Sequence, residues 1–294
     1  MLLLTGATGL VGSALLRRLL ADGASVRCLV RDPRRLGTQR VRVQIALGDL
    51  TDPPSFRNAL RGVHTVVHLA ASIRDQPRGS IEELNGIATW RMVEAAQRAG
   101  VQRFVFFSVL GASTHHRARF FRAKALAEQA VRESEMRTTV FAPSIVYAPG
   151  DPWLTLLERL ALLPVVPVSG RGRALYQPIW AEDVAECVMA ALREGGDAER
   201  LELAGPETLS YNDVIRLVLR SLNRRRPLLH VPTPMVSRSL RMLEAITRTR
   251  AFATWDEAEL MEVSMISSRG TADAERLSVT PEPMRAILAP AQTL

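Results

Sequence analysis

An apolar run, Met1-Leu2-Leu3-Leu4, leads directly into Thr5-Gly6-Ala7-Thr8-Gly9-Leu10-Val11-Gly12, and an apolar-patterned stretch (Leu10, Val11, Ala14, Leu15, Leu19) follows without a break. That order prescribes a strand, a glycine turn and a helix. Glycine admits the positive φ such a turn needs and puts no Cβ between the backbone and a ligand. The helix start offers unpaired N–H groups and the positive end of the helix dipole. A dinucleotide pyrophosphate is the natural occupant of such a turn, held by Gly6, Thr8, Gly9, Leu10, Val11 and Gly12. The glycines are spaced G-x-x-G-x-x-G rather than G-x-G-x-x-G, and a tight turn without a ligand satisfies the same pattern. Context favours the nucleotide, because a second strand, Ser25–Val30, follows the helix.

Strand and helix signals then alternate. Val41–Leu47, Val63–Ala70, Arg103–Ser108 and Thr138–Ala142 are short apolar runs of strand length. Helical patterns lie at Asp52–Leu60, Ile81–Ala99 and Arg117–Glu133. Strands this apolar are expected to be buried on both faces, which implies an α/β architecture: a doubly wound parallel sheet covered by helices. After Pro149-Gly150 the pattern changes, with prolines at 152, 164, 167 and 178. Tyr176–Trp180 reads as a strand and Ala181–Arg193 as a helix returning to the sheet. A short strand (Leu201–Ala204) and helices near Tyr211–Leu222 and Pro234–Thr247 complete the chain. The expected division is a nucleotide-binding domain over 1–150, joined by 174–195, and a smaller, mostly helical lobe over 196–294, joined by 151–173.

The two cysteines, Cys28 and Cys187, fall inside core elements and read as buried thiols, not as a disulfide or metal site. No apolar run reaches a membrane span; Trp153–Val168 is interrupted by Glu158 and Arg159. The first strand starts at residue 1, so no signal peptide is expected, and a cytoplasmic setting follows by default. The formal charge is +8, carried almost wholly by scattered arginine. Nucleic acid is not an expected partner, because aromatics are scarce and no basic face is interleaved with them.

These residues resemble the extended or atypical short-chain dehydrogenase/reductases. The match rests on the loop from Thr5 to Gly12, then Gly48-Asp49-Leu50, His68-Leu69-Ala70-Ala71, Asn85 and Phe104 to Ser108. It continues through Pro143-Ser144-Ile145-Val146-Tyr147, Glu182-Asp183-Val184-Ala185 and Ala204-Gly205-Pro206-Glu207. The later segments are most similar to the group of the NAD(P)H-binding accessory subunit of respiratory complex I. The resemblance implies that Asp49 and Leu50 meet the adenine, that Ala70 and Ala71 line the nicotinamide half, and that Pro143 and Ile145 complete the cofactor site. Asp49 could instead cap the helix near Asp52, and the alanines could simply pack.

An arginine at the end of the second strand pairs with the 2′-phosphate of NADP, whereas an acid there binds the ribose hydroxyls of NAD. Arg31 occupies that slot, so NADP(H) is preferred; Asp32 is one residue away and keeps NAD(H) open. Lys124 is the only lysine among 38 basic residues. By resemblance it is the lysine of the Tyr-x-x-x-Lys motif, which holds the nicotinamide ribose, while Ser108 orients a substrate carbonyl. The residue four before it is Phe120, which has no proton to give. Three alternatives follow. Another acid serves (His115, His116 or Lys124 itself); or the cofactor is bound without turnover, in a redox sensor or assembly subunit; or Phe120 lines a pocket for an apolar ligand. The expected partner is accordingly a hydrophobic small molecule or a protein. Substrate and oligomeric state are not legible.

Overall fold

The computed structural model describes residues 1–194, 199–232 and 260–289. The chain forms β1 (Leu2–Thr5), α1 (Leu10–Ala21), β2 (Val26–Val30), β3 (Gln44–Leu47), α2 (Pro53–Phe56), β4 (Thr65–His68), α3 (Ala88–Arg98), β5 (Arg103–Phe107), α4 (Arg119–Arg132) and β6 (Arg137–Pro143). It continues with β7 (Val146–Tyr147), α5 (Pro152–Leu160), β8 (Val166–Ser169), β9 (Leu175–Tyr176), β10 (Ile179–Trp180), α6 (Ala181–Glu194) and β11 (Glu199–Leu203). The remaining described elements are β12 (Leu209–Ser210), α7 (Tyr211–Ser221), β13 (Leu228–Val231), α8 (Ala272–Arg276) and α9 (Met284–Ile287).

Seven strands make one sheet in the order β11-β6-β5-β4-β1-β2-β3, and every neighbouring pair is parallel. The order reverses between β1 and β4. The connections leaving those two strands diverge to opposite faces, which opens a crevice at their carboxyl ends. The helix α1 covers one face because Ala14, Leu15, Leu16, Leu19 and Leu20 form a buried stripe while Arg17 and Arg18 turn outward. Its arginines bond Glu182 at the start of α6.

The expected doubly wound sheet is present, with local departures. Val41–Leu47 is only half strand: Pro33–Arg42 forms 3₁₀ turns, capped by Asp32 and broken at Gly37 (φ 59°), before β3 begins. As the sheet's outer strand, β3 leaves Ile45 and Leu47 exposed, contrary to burial on both faces. Asp52–Leu60 divides into α2 and a 3₁₀ turn at Arg57–Leu60. The helix after β4 contains a π-helical turn at Glu83–Ile87. Tyr176–Trp180 splits at Pro178, which has no N–H to donate; β9 then pairs with β12 and β10 with β7. The strand expected in the C-terminal remainder is β11, which pairs with β6 in the main sheet. Ala274, Leu277 and Val279 also pack into the core of that sheet. The helix expected at Pro234–Thr247 lies outside the described residues.

A second apolar core joins α5, α7 and the β8–β13 pair to Phe121, Tyr147 and Tyr176, with Phe120 at its margin. Both cysteines are free and buried, and burial pushes each thiol up to about 12.

Candidate cofactor and active site

The glycine loop emerges from β1 at the crevice. Gly6 has φ 71°, and a Cβ there would lie 2.7 Å from the Ala70 nitrogen. A Cβ on Gly12 would lie 2.1 Å from the Gly6 carbonyl oxygen, so any side chain at position 12 would push α1 off the loop. The first helical bond runs from the Ser13 N–H to the Gly9 carbonyl (2.9 Å). The N–H groups of Leu10, Val11 and Gly12 therefore have no acceptor within the helix, and Gly9 caps them with no side chain. Beside Thr8 is a cavity of about 170 Å³ bordered by Ala7, Ser13, Arg17, Arg35 and Gln39. The Gln39 Oε1 atom is buried there without a hydrogen-bond partner among the described residues. Free N–H donors, a wall only glycine permits and a cationic rim fit a pyrophosphate, and the Gln39 oxygen fits a hydroxyl donor such as that of a dinucleotide's ribose.

Arg31 is exposed, as is Arg35. Asp32 is committed elsewhere: both its oxygens accept from the Arg34 guanidinium, at 3.0 and 3.1 Å. These bonds hold its carboxyl below the usual range. Asp49 does not cap α2. Its Oδ1 accepts from the Thr51 N–H (3.1 Å) and hydroxyl (2.9 Å). Partial burial raises its pKa, but the Thr51 bonds and the Arg31 charge leave it below its ordinary value. Leu50 beside it is half-buried.

At the end of β4, Ala70 is half-buried and Ala71 exposed. Two groups named in the resemblance without a role, His68 and Asn85, fix this turn. His68 is fully buried, with Nδ1 2.9 Å from the Thr5 hydroxyl and Nε2 3.1 Å from the Thr89 hydroxyl. Thr89 donates to the Asn85 carbonyl (2.8 Å), so its oxygen accepts from Nε2–H, and Nδ1 accepts from Thr5. The ring is thereby assigned one neutral tautomer. Burial, reinforced by the charge of Lys124, pushes its pKa down to about 3. Asn85, on the π-helical turn, accepts from the Ser72 N–H (3.1 Å) and donates to the carbonyls of Ser72 (2.7 Å) and Ile81 (2.8 Å). A lone polar residue inside Val66-Val67-His68-Leu69 was the available signal for the first group.

Lys124 is 2% exposed. Its Nζ donates to the Phe107 carbonyl (2.6 Å) and lies 4.9 Å from the centre of the Phe106 ring and 5.9 Å from that of Phe120. The four-residue spacing does place Phe120 on the lysine's face. Burial pushes the Lys124 pKa down to about 7. Ser108 has a different engagement from the expected one: its hydroxyl donates to Glu128 Oε2 (2.6 Å). Glu128 also accepts from Arg200 (3.0 Å) and Arg132, so Ser108 anchors α4 to the sheet. His116 is half-buried, stacks on Phe121 (ring centres 4.4 Å apart) and accepts the Ala118 N–H on Nδ1 (3.0 Å). His115 is exposed. Pro143 ends β6, its carbonyl accepting from the Leu110 N–H (3.0 Å), and the Ile145 carbonyl accepts from Ile179 (3.0 Å). The Tyr147 hydroxyl is buried with no partner among the described residues, and burial raises its pKa. A larger cleft, about 620 Å³, lies in the lobe between Arg117, Arg171, Arg173, His230 and Glu262.

A family model described as NAD(P)H-binding matches residues 6–194. The chain is 30% identical to sterol demethylase protein B of Methylococcus capsulatus, over 85% of this chain and 83% of that protein. It is 27% identical to the mitochondrial NADH dehydrogenase (ubiquinone) 1 alpha subcomplex subunit 9 of Arabidopsis thaliana, over 78% of this chain, and spans 60% of that protein's length. The solved Thermus thermophilus UDP-glucose 4-epimerase in complex with NAD superposes with a TM-score of 0.72 at 19% identity, covering 98% of this chain and 96% of that one, and so shares the fold.

Proposed function

The chain belongs to the NAD(P)H-binding family, within the extended short-chain dehydrogenase/reductase superfamily, and from that premise we propose that it is an NADPH-dependent oxidoreductase acting on a hydrophobic small molecule. The observation that carries this proposal is Lys124: the chain's single lysine, buried between two phenylalanine rings and brought to about 7. Arginine cannot replace a lysine that must hold ribose hydroxyls as a compact cation or release a proton near neutrality. When bound, the reduced nicotinamide supplies hydride. The glycine loop holds the pyrophosphate, Lys124 holds the ribose and stands as the proton source, and Phe120 supplies an apolar wall where a hydroxyl donor would otherwise stand. Ser108 and His116 remain the other candidates for orienting or protonating a substrate; Ser108 would first have to release Glu128, whereas His116, whose Nδ1 accepts the Ala118 N–H, would donate from Nε2. The 2′-phosphate is assigned to Arg31, with Arg35 beside the loop as a second cation, and the engagement of Asp32 with Arg34 supports that preference. The similarity to a protein named for sterol demethylation agrees with an apolar substrate.

A second reading is a non-catalytic NADPH-binding sensor or assembly subunit. Phe120 favours it, as does the likeness to a protein named as an NADH dehydrogenase subunit. The two separate in one assay: wild type and Lys124→Met are given NADPH with a panel of quinones, ketones and enones. Oxidation of NADPH by wild type and its loss in Lys124→Met supports the enzyme. Tight NADPH binding with no oxidation across the panel supports the sensor.

A further inference from the structure

On the lobe, far along the chain from the cofactor loop, the α5–β8 connection leaves four consecutive apolar residues in solvent. Leu162 is 62% exposed, Leu163 43% and Val165 36%, with Pro164 exposed between them. Isolated exposed leucines are ordinary, but a run of four is not, unless something covers it. The patch continues on the adjacent pair of parallel strands. Leu229 of β13, 56% exposed, sits opposite the exposed Pro167 of β8.

The same connection carries a cationic border. Arg224 donates from Nη1 to the Ala161 carbonyl (3.1 Å), and the Pro227 carbonyl accepts from the Val166 N–H (3.0 Å). These two bonds fix the run Arg224-Arg225-Arg226 against the base of the apolar loop. Arg225 and Arg226 are exposed, and neither has an ion-pair partner among the described residues. Within the loop and the arginine run there is no acidic residue; the nearest in sequence is Glu158, one turn back on α5. Apolar side chains projecting beside unpaired arginines match a bilayer surface: the leucines enter the acyl boundary while the guanidinium groups meet anionic headgroups. The border is of one sign and unpaired among the described residues, the charge complement of an anionic surface. No helix among the described residues is long and apolar enough to cross a membrane.

We propose that the 162–167 loop, Leu229 and the Arg225–Arg226 pair form a docking surface for an anionic phospholipid bilayer. It is independent of whether the protein turns over NADPH. The test is sedimentation of the full chain with vesicles of phosphatidylcholine alone and of phosphatidylcholine with phosphatidylglycerol. It uses wild type, Arg225→Glu/Arg226→Glu and Leu162→Glu/Leu163→Glu, with circular dichroism melts to confirm that each variant is folded. Binding to the anionic vesicles, weakened by salt and at least tenfold weaker in both double variants, is the expected result. Absence of binding to anionic vesicles, or binding equal in all three proteins, overturns the proposal. A wild-type dimer that Leu162→Glu/Leu163→Glu dissociates, without any lipid binding, also overturns it and assigns the patch to a second copy.

Discussion

Lys124 is a cation kept in an apolar slot with a single carbonyl for company, and that arrangement has a pH signature. Its folded pKa of about 7 lies below the ordinary 10.5. Between those values the unfolded chain binds a proton that the folded one releases, so stability rises with pH across the window. The burial penalty is full below about pH 7 and relieved toward 10.5. Lys124→Met should remove that slope, a change on the order of a few kcal/mol between the two ends, measured by urea melts of wild type and variant across the window. His68 acts on the other side. Its folded pKa of about 3 lies below 6.5, so its contribution is intact above pH 6.5 and is lost as the pH falls toward 3. His68→Gln should flatten the acid limb of stability in the same melts. If Lys124 is the proton source in reduction, kcat/KM for an enone or ketone should fall as pH rises through the neutral range, because the free enzyme's acid sets that limb. Phe120→Tyr restores a hydroxyl one turn from Lys124, and a gain in carbonyl reduction is expected, read as NADPH oxidation.

At the level of elements, the site depends on how the ends of β1 and β4 are tied together. The Gly6 φ of 71° and the contact of Gly12 with the Gly6 carbonyl let α1 start where the strand stops. Asn85 then clasps Ser72 from the π-helical turn. Asn85→Leu removes three hydrogen bonds and should destabilise the protein by about 1–3 kcal/mol through the unsatisfied Ser72 groups. It should also weaken NADPH binding, checked by thermal melts with and without cofactor. The glycine loop, the sheet and the Lys124–Phe120 face were legible in the sequence because each follows from a local pattern: glycine spacing, apolar runs, a four-residue helical repeat. The long-range partners were not. Ser108 meets Glu128 across 20 residues and Thr5 meets His68 across 63, and no periodicity encodes which polar pairs a fold will bring together. The short breaks failed for a related reason. Pro178 interrupts an element whose apolar pattern runs straight through it, and the 3₁₀ turns of Pro33–Arg42 overrun the start of the strand expected at Val41.

Over the whole molecule, residues that are late in the chain return to the end of β6. The Ser144 hydroxyl donates to the Met265 carbonyl (2.6 Å), and Ser267 N–H donates to Gln177 (2.7 Å), so the loop after β6 is held by the C-terminal segment. The net charge of +8 favours capture of an anionic cofactor from solution. A 2′-phosphate adds charge, so affinity for NADPH should fall more steeply with salt than affinity for NADH. Arg31→Ala should cost NADPH at least tenfold while leaving NADH nearly unchanged, by titration of each coenzyme; equal losses would remove the phosphate from Arg31. Fluorescence titration of NADPH into wild type and Gly12→Val decides whether the Gly6–Gly12 turn cups the pyrophosphate of a nicotinamide coenzyme. Saturable binding with Kd in the range of about 1 µM to 1 mM, abolished in a Gly12→Val protein that keeps its circular dichroism spectrum, is the expected result. A wild type that shows no saturation up to millimolar NADPH, or a folded Gly12→Val that binds as well as wild type, would contradict it.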